Sequence, residues 1–130
     1  EAERGEAVRF LVLPLDDPGR VVGMVNLTSI VRGASYSCAL GYGVAAGVEG
    51  TGVASEAVGA AVGHAFGPLG LHRVTATYVP HNRRSGALLK RLGFTVEGYA
   101  RDYLYANGAW EDHVLAARVN PAWKPPRQSS

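Results

Sequence analysis

The sequence is poor in cysteine and has no long apolar segment. Cys38 is the single cysteine among 130 residues, which excludes an internal disulfide and leaves no thiolate cluster for zinc. No apolar run approaches the ~20 residues that a membrane-spanning helix needs. The chain begins Glu1-Ala2-Glu3, with neither an initiating methionine nor a signal-peptide pattern, as expected of a processed or trimmed product. We therefore expect a cytoplasmic protein without a bound metal, with Cys38 as a small core residue.

Acidic residues are unevenly distributed, although the net charge is only +2. No Asp or Glu occurs between Glu56 and Glu97, and this interval holds five basic residues: Arg73, Arg83, Arg84, Lys90 and Arg91. Such a run is most often a solvated surface. It also suits a phosphate-bearing cofactor or a nucleic acid, and charge alone does not separate these interpretations.

Hydrophobic periodicity and turn signals predict one mixed α/β domain over residues 1–130, with a partly ordered tail at 121–130. We predict strands at 8–14, 21–31, 35–44, 73–79, 95–105 and 109–118, and helices at 54–66 and 83–92. Asn82 is a suitable N-cap for the second helix, which should stop at Gly93. On that helix Ser85 shares the face of Leu88 and Leu89. The order β-β-β-α-β-α-β-β indicates antiparallel hairpins at both ends and a β-α-β crossover between them.

Glycine is abundant, at 17 of 130 residues, and five glycines cluster before the first helix: Gly41, Gly43, Gly47, Gly50 and Gly52. A glycine loop at a helix start lets backbone N–H groups approach an anion. A P-loop is excluded because Gly52 is followed by Val53 and Ala54 rather than by Lys and Ser/Thr. A dinucleotide fingerprint is weak, since Ser55 replaces its third glycine and no acid follows at the required distance. The interpretation of this cluster as a glycine-rich turn that binds no ligand remains an alternative.

Four segments resemble the GNAT superfamily of N-acetyltransferases. Glu49-Gly50-Thr51-Gly52-Val53-Ala54 is similar to its pyrophosphate loop, of pattern Gln/Arg-x-x-Gly-x-Gly/Ala. The segments 80–86 (PHNRRSG), 92–100 (LGFTVEGYA) and 107–115 (NGAWEDHVL) are similar to its ribosomal-protein-alanine N-acetyltransferase branch. The likeness extends in order from about Gly19 to Trp123. It implies a mixed, mostly antiparallel sheet with a central β-α-β-α segment, without the family's first strand and first two helices.

The resemblance also implies acetyl-coenzyme A as co-substrate and a set of residues that bind it. These are Tyr42, Gly43, Val44, Glu49, Gly50, Thr51, Gly52, Val53, Ala54, Asn82, Arg83 and Ser85. Glu49 stands where the family usually has Gln or Arg, so we expect weakened but retained binding. Arg83, Arg84 and Lys90 would meet the adenosine phosphates. Ser85 would serve the coenzyme sulfur as a catalytic residue, and Asp102 is a candidate general base.

The acceptor implied by the resemblance is the N-terminal alanine of a ribosomal protein. An α-amine has a pKa near 8 and a lysine near 10.4, so the α-amine is the easier nucleophile without an evident base. A small-molecule or antibiotic amine fits equally well. A non-catalytic basic module that binds RNA or acidic partners is the alternative from another class, and a homodimer is left open.

Overall fold

In the computed structural model, which describes residues 6–14, 16–45, 47–48 and 51–126, six strands form one sheet against which two helices pack. The elements are β1 (Glu6–Val12), β2 (Gly23–Val31), β3 (Ser37–Val44), α1 (Val53–Phe66), β4 (Arg73–Tyr78), α2 (Arg83–Arg91), β5 (Thr95–Ala106) and β6 (Ala109–Val119). The sheet order is β1-β2-β3-β4-β6-β5. β3 pairs with β4 in parallel, and the other pairings are antiparallel. The predicted element order and the mostly antiparallel mixed sheet are confirmed.

Both helices contribute to one hydrophobic core, which lies on a single face of the sheet. The register places Val25 opposite Tyr42 and Leu27 opposite Leu40, so these side chains share that face. The predicted stripe of α1 is buried there through Val58, Ala61, Val62 and Ala65, and α2 adds Leu88 and Leu89. Because most of the α1 stripe is alanine and valine, the helix can lie close to the strands. Cys38 is buried in the same core, and burial raises its pKa to about 11, which confirms a packing role.

Two element ends show how backbone conformation sets the boundaries. β3 begins at Ser37, two residues later than predicted, because Tyr36 has a φ of 45° and cannot extend the strand. α2 ends as predicted near Gly93, whose φ is 89°. The N–H of Phe94 donates to the Leu89 carbonyl and that of Gly93 to the Lys90 carbonyl, which is a Schellman motif.

Part of the predicted tail packs against the segments that precede β3 and β4. The Trp123 indole N–H donates to the Gly70 carbonyl at 3.0 Å, and its ring lies 5.1 Å from that of Tyr36. Within the described ranges no helix is long and apolar enough to cross a lipid bilayer.

Candidate functional site

The two parallel strands separate in the middle of the sheet. β3 and β4 are paired from Ser37 and Arg73 to Leu40 and Ala76, and no pairing follows. Beyond that point β3 stays bound to β2, with Tyr42 opposite Val25 and Val44 opposite Gly23. β4 stays bound to β6. Each strand follows its outer neighbour, so a wedge opens between them and the inner edge of β3 keeps its backbone groups for another partner.

A cavity of about 1080 Å³ occupies this wedge. One wall is the end of β3, from Leu40 to Val44, and the other is the end of β4 with Thr77, Tyr78 and Val79. The N-terminal turns of both helices complete it, through Gly52, Ala54 and Ser55 of α1 and through Asn82 and Ser85 of α2. The sheet thus places two helix N-termini and a free strand edge around one space.

Within the described residues, no side chain accepts from the first-turn amides of α1. Gly52 takes the N-cap position with φ 89° and ψ −7°, a left-handed conformation that favours glycine. No side chain of the described ranges caps this helix. Thr51 does not do so either, because its hydroxyl donates to the Val48 carbonyl at 2.6 Å. Uncapped first-turn amides at the positive end of a helix dipole favour an anion.

The start of α2 is capped, as the sequence predicts. The backbone N–H of Ser85 donates to Oδ1 of Asn82 at 3.1 Å. The Ser85 hydroxyl is therefore not needed for the cap, and its oxygen lies 2.6 Å from the hydroxyl oxygen of Tyr42. Ser85 and Tyr42 are both partly buried and both line the cavity.

The cavity is cationic. Arg84 and Arg91 line it from α2, seven residues apart and thus on one side of the helix. Among the residues that the structure describes, no carboxylate lines it. Glu56, in the first turn of α1, is exposed and lines a second, smaller groove instead.

Most of the predicted coenzyme residues meet at this cavity. Those lining it are Tyr42, Gly43, Val44, Gly52, Ala54, Asn82 and Ser85. Arg84 also lines it, whereas Thr51, Arg83 and Lys90 do not, and Val53 lines the second groove. Glu49 and Gly50 lie outside the described residues.

Sequence reasoning missed the β4 wall and Arg91. The β4 wall could have been found only by knowing where the parallel pairing ends. Arg91 had a local signal, because it follows Arg84 at i+7 on a helix that the sequence predicts.

Asp102, the predicted base, lies in an irregular part of β5 away from the cavity lining. Its φ is 48°, and its backbone N–H donates to Oδ1 of Asp112 at 2.9 Å. The Tyr99 hydroxyl donates to Oδ2 of the same carboxylate at 2.7 Å. The Asp102 N–H and, after it, the Tyr99 hydroxyl lower the pKa of Asp112, and the bond to Asp112 raises the pKa of Tyr99. The described part of the chain holds no group of three or more potential metal ligands.

Comparison with known families gives a match over most of the chain. A model of the acetyltransferase (GNAT) domain matches residues 1–95, which include the diverging strands, α1 and α2. The [ribosomal protein uS5]-alanine N-acetyltransferase of Escherichia coli is 42% identical over 125 residues, which cover 96% of this chain and 64% of that protein. The chain therefore spans less than two thirds of the length of this relative.

Solved structures give the same match. The ribosomal-protein-S5-alanine acetyltransferase of Vibrio fischeri has a TM-score of 0.87 and 37% identity, with 92% of this chain and 64% of that chain covered. RimJ of Mycobacterium smegmatis, solved in complex with CoA-disulfide, has a TM-score of 0.81 and 36% identity. Its alignment covers 87% of this chain and 53% of that chain.

Proposed function

The chain belongs to the acetyltransferase (GNAT) domain family, and we propose that it transfers an acetyl group from acetyl-coenzyme A to the N-terminal α-amine of a protein. The observation that carries this proposal is the cavity between β3 and β4, with an uncapped helix start at one end and Ser85 on its wall.

The groups that line the cavity support coenzyme A as its occupant. The uncapped turn at Gly52–Ser55 would hold the pyrophosphate, because its amide donors and the helix dipole favour an anion. The free edge of β3 at Tyr42, Gly43 and Val44 would hydrogen-bond the amides of the pantetheine arm as a neighbouring strand does. Arg84 and Arg91 would contact the remaining phosphate. A role for Arg83, and for Glu49 and Gly50, which lie outside the described residues, stays a prediction.

The chemistry requires an amine nucleophile in its neutral form and a proton for the sulfur that leaves. Ser85 is the residue that we assign to the sulfur, since its hydroxyl reaches the cavity and is not engaged by the helix cap. Asn82 positions Ser85 through the N-cap bond. Asp102 as general base stays a prediction, because no described contact joins it to the cavity.

The acceptor that we favour is an N-terminal alanine. The support is that the Escherichia coli relative is named as an alanine N-acetyltransferase, together with the lower pKa of an α-amine compared with a lysine. We expect the reaction to take place in the cytoplasm, where ribosomal proteins are made.

The test supplies acetyl-coenzyme A with three acceptors: a peptide that starts with alanine, the same peptide with a blocked N-terminus and an internal lysine, and spermidine. Mass spectrometry and thiol release report transfer. We expect acetylation of the alanine peptide alone. Transfer to spermidine alone would assign the chain to small-molecule amines, and transfer to none would overturn an enzymatic function.

A second measurement separates the enzyme from a basic binding module. Thermal unfolding is recorded with coenzyme A and with a single-stranded RNA. Stabilisation by coenzyme A supports the proposal through linkage. Stabilisation by RNA alone would overturn the proposed enzyme and favour an RNA-binding module.

A further inference from the structure

Tyr42 and Ser85 come from different elements and meet at the cavity through their hydroxyl groups. Their oxygens are 2.6 Å apart, although 43 residues separate them along the chain. This distance is short for a bond between two hydroxyls, and either oxygen could be the donor. The bond joins the free end of β3 to the first turn of α2 beside the wedge.

The direction of this bond decides what Ser85 can do. Each hydroxyl has one proton to donate and lone pairs to accept with. If Ser85 donates to Tyr42, its proton is used within the protein. If Tyr42 donates to Ser85, the serine proton is left to point into the cavity, where no described carboxylate competes for it. The N-cap bond to Asn82 uses the backbone N–H of Ser85 and not its hydroxyl. The hydroxyl can therefore accept from Tyr42 and point its own proton into the cavity.

Building on the function proposed above, we infer that Tyr42 is the positioning residue for Ser85 and renews its proton. The C–N bond to the amine forms and the C–S bond breaks, and the departing sulfur takes the proton of the Ser85 hydroxyl. Ser85 takes the proton of the Tyr42 phenol, and water in the open cavity restores it. The proton that the amine nitrogen loses goes to water, so all protons are accounted for.

Acidity explains why a serine would need this partner. A phenol has a pKa of about 10 and an alkyl thiol about 8.5, whereas an aliphatic hydroxyl is a far weaker acid. Leaving the negative charge on Ser85 would therefore be much less favourable than passing it to Tyr42. The pair can act with the acidity of a phenol while only the smaller serine side chain approaches the sulfur.

The experiment is steady-state kinetics of the 130-residue chain with acetyl-coenzyme A and the alanine peptide. The variants are Tyr42→Phe, Ser85→Ala and the double variant, with melting temperatures recorded for each. Tyr36→Phe is the matched control, because that ring packs against Trp123 and does not line the cavity.

Tyr42→Phe should lower kcat about 10-fold, as the loss of one hydrogen bond to a reacting group implies, and leave KM for acetyl-coenzyme A unchanged. Ser85→Ala should lower kcat about 100-fold. The double variant should match Ser85→Ala, because Tyr42 acts only through Ser85. Tyr36→Phe should turn over like the wild type.

Three results would overturn the inference: normal turnover in Tyr42→Phe, losses that multiply in the double variant, or a rise in KM with unchanged kcat. The last would make Tyr42 a coenzyme-binding residue only. A wild-type chain that acetylates no amine would overturn the proposed function and this inference together. An active wild type with a normal Tyr42→Phe overturns the inference alone.

Discussion

α1 and α2 begin at the same cavity, yet the first turn of each helix is completed in a different way. At α1 a left-handed Gly52 precedes amides that no side chain in the described part of the chain caps. At α2 Asn82 accepts the Ser85 N–H, so one first-turn donor is satisfied within the protein. The first arrangement costs local stability and keeps donors for a ligand, whereas the second stabilises the helix and fixes the position of a reactive hydroxyl.

A carboxylate at the start of α1 would give this helix a side-chain cap, as α2 already has. In Gly52→Asp the new side chain can cap the first turn, and Asp tolerates a positive φ better than most residues. It also brings a negative charge to the place proposed for the pyrophosphate. We expect the dissociation constant for coenzyme A, measured by calorimetry, to rise about 100-fold, because like charges a few ångströms apart repel strongly.

Two variants separate charge from geometry in this test. Gly52→Asn supplies a similar cap without the charge and should weaken binding much less. Gly33→Asp imposes the same backbone strain at a φ of 83°, in the turn between β2 and β3, and should leave coenzyme binding intact. Equal losses in Gly52→Asp and Gly52→Asn would show that charge is not the cause. Unchanged binding in both would place the anion elsewhere.

Arginines on α2 extend the comparison between the two helix starts. They add positive charge at the helix whose capped first turn has fewer free backbone N–H groups. Arg84→Gln and Arg91→Gln should each raise the dissociation constant for coenzyme A about 10-fold, through loss of a charge-assisted bond to phosphate. Binding of 3′-dephospho-coenzyme A should change less. Arg101→Gln, on β5, controls for net charge.

The same series of variants tests whether Arg83 contacts a phosphate of coenzyme A. The family resemblance implies a phosphate contact for Arg83 as well as for Arg84 and Lys90, whereas the cavity is lined by Arg84 and Arg91. A loss in Arg83→Gln as large as that in Arg84→Gln would favour the sequence prediction. A loss confined to Arg84 and Arg91 would favour the geometry.

Removing the cap from α2 would make its first turn resemble that of α1. Asn82→Ala should lower the free energy of unfolding by about 1 kcal/mol, since the Ser85 N–H loses its acceptor. It should also lower kcat more than it weakens coenzyme binding, because Ser85 shifts. Asn82→Asp keeps an acceptor at the same place and should recover most of the stability. An Asn82→Ala variant of unchanged melting temperature would contradict the cap.

Both ends of α2 could be predicted from neighbouring residues in the sequence. The rest of the site depends on contacts between residues far apart in the chain. The cap at Asn82 and the stop at Gly93 each depend on a few neighbouring residues, so the sequence predicts them. The wedge depends on Leu40 and Ala76 being the last parallel pair, which is a matter of register between strands far apart in the chain. The bond between Tyr42 and Ser85 has the same origin, and no periodicity encodes it.

Asp112 provides a reference outside the cavity for the cap at Asn82, since both side chains accept a backbone N–H. Asn82 is neutral, so the stability lost in Asn82→Ala should not depend on pH. Asp112 is charged, and the Asp102 N–H and the Tyr99 hydroxyl hold its pKa below the ordinary value of 3.8. A carboxyl whose pKa is lower in the folded state stabilises the fold above the unfolded pKa, and this contribution is lost as the pH falls through the folded pKa. Asp112→Asn should therefore lower the melting temperature near neutral pH and approach the wild type only as the pH falls through the folded pKa of Asp112, which lies below 3.8. Because the Asp112 carboxylate lies near the surface, where solvent screens its interactions, this shift should be the smallest in the series, and a difference that persists unchanged into acid would contradict the carboxylate's role.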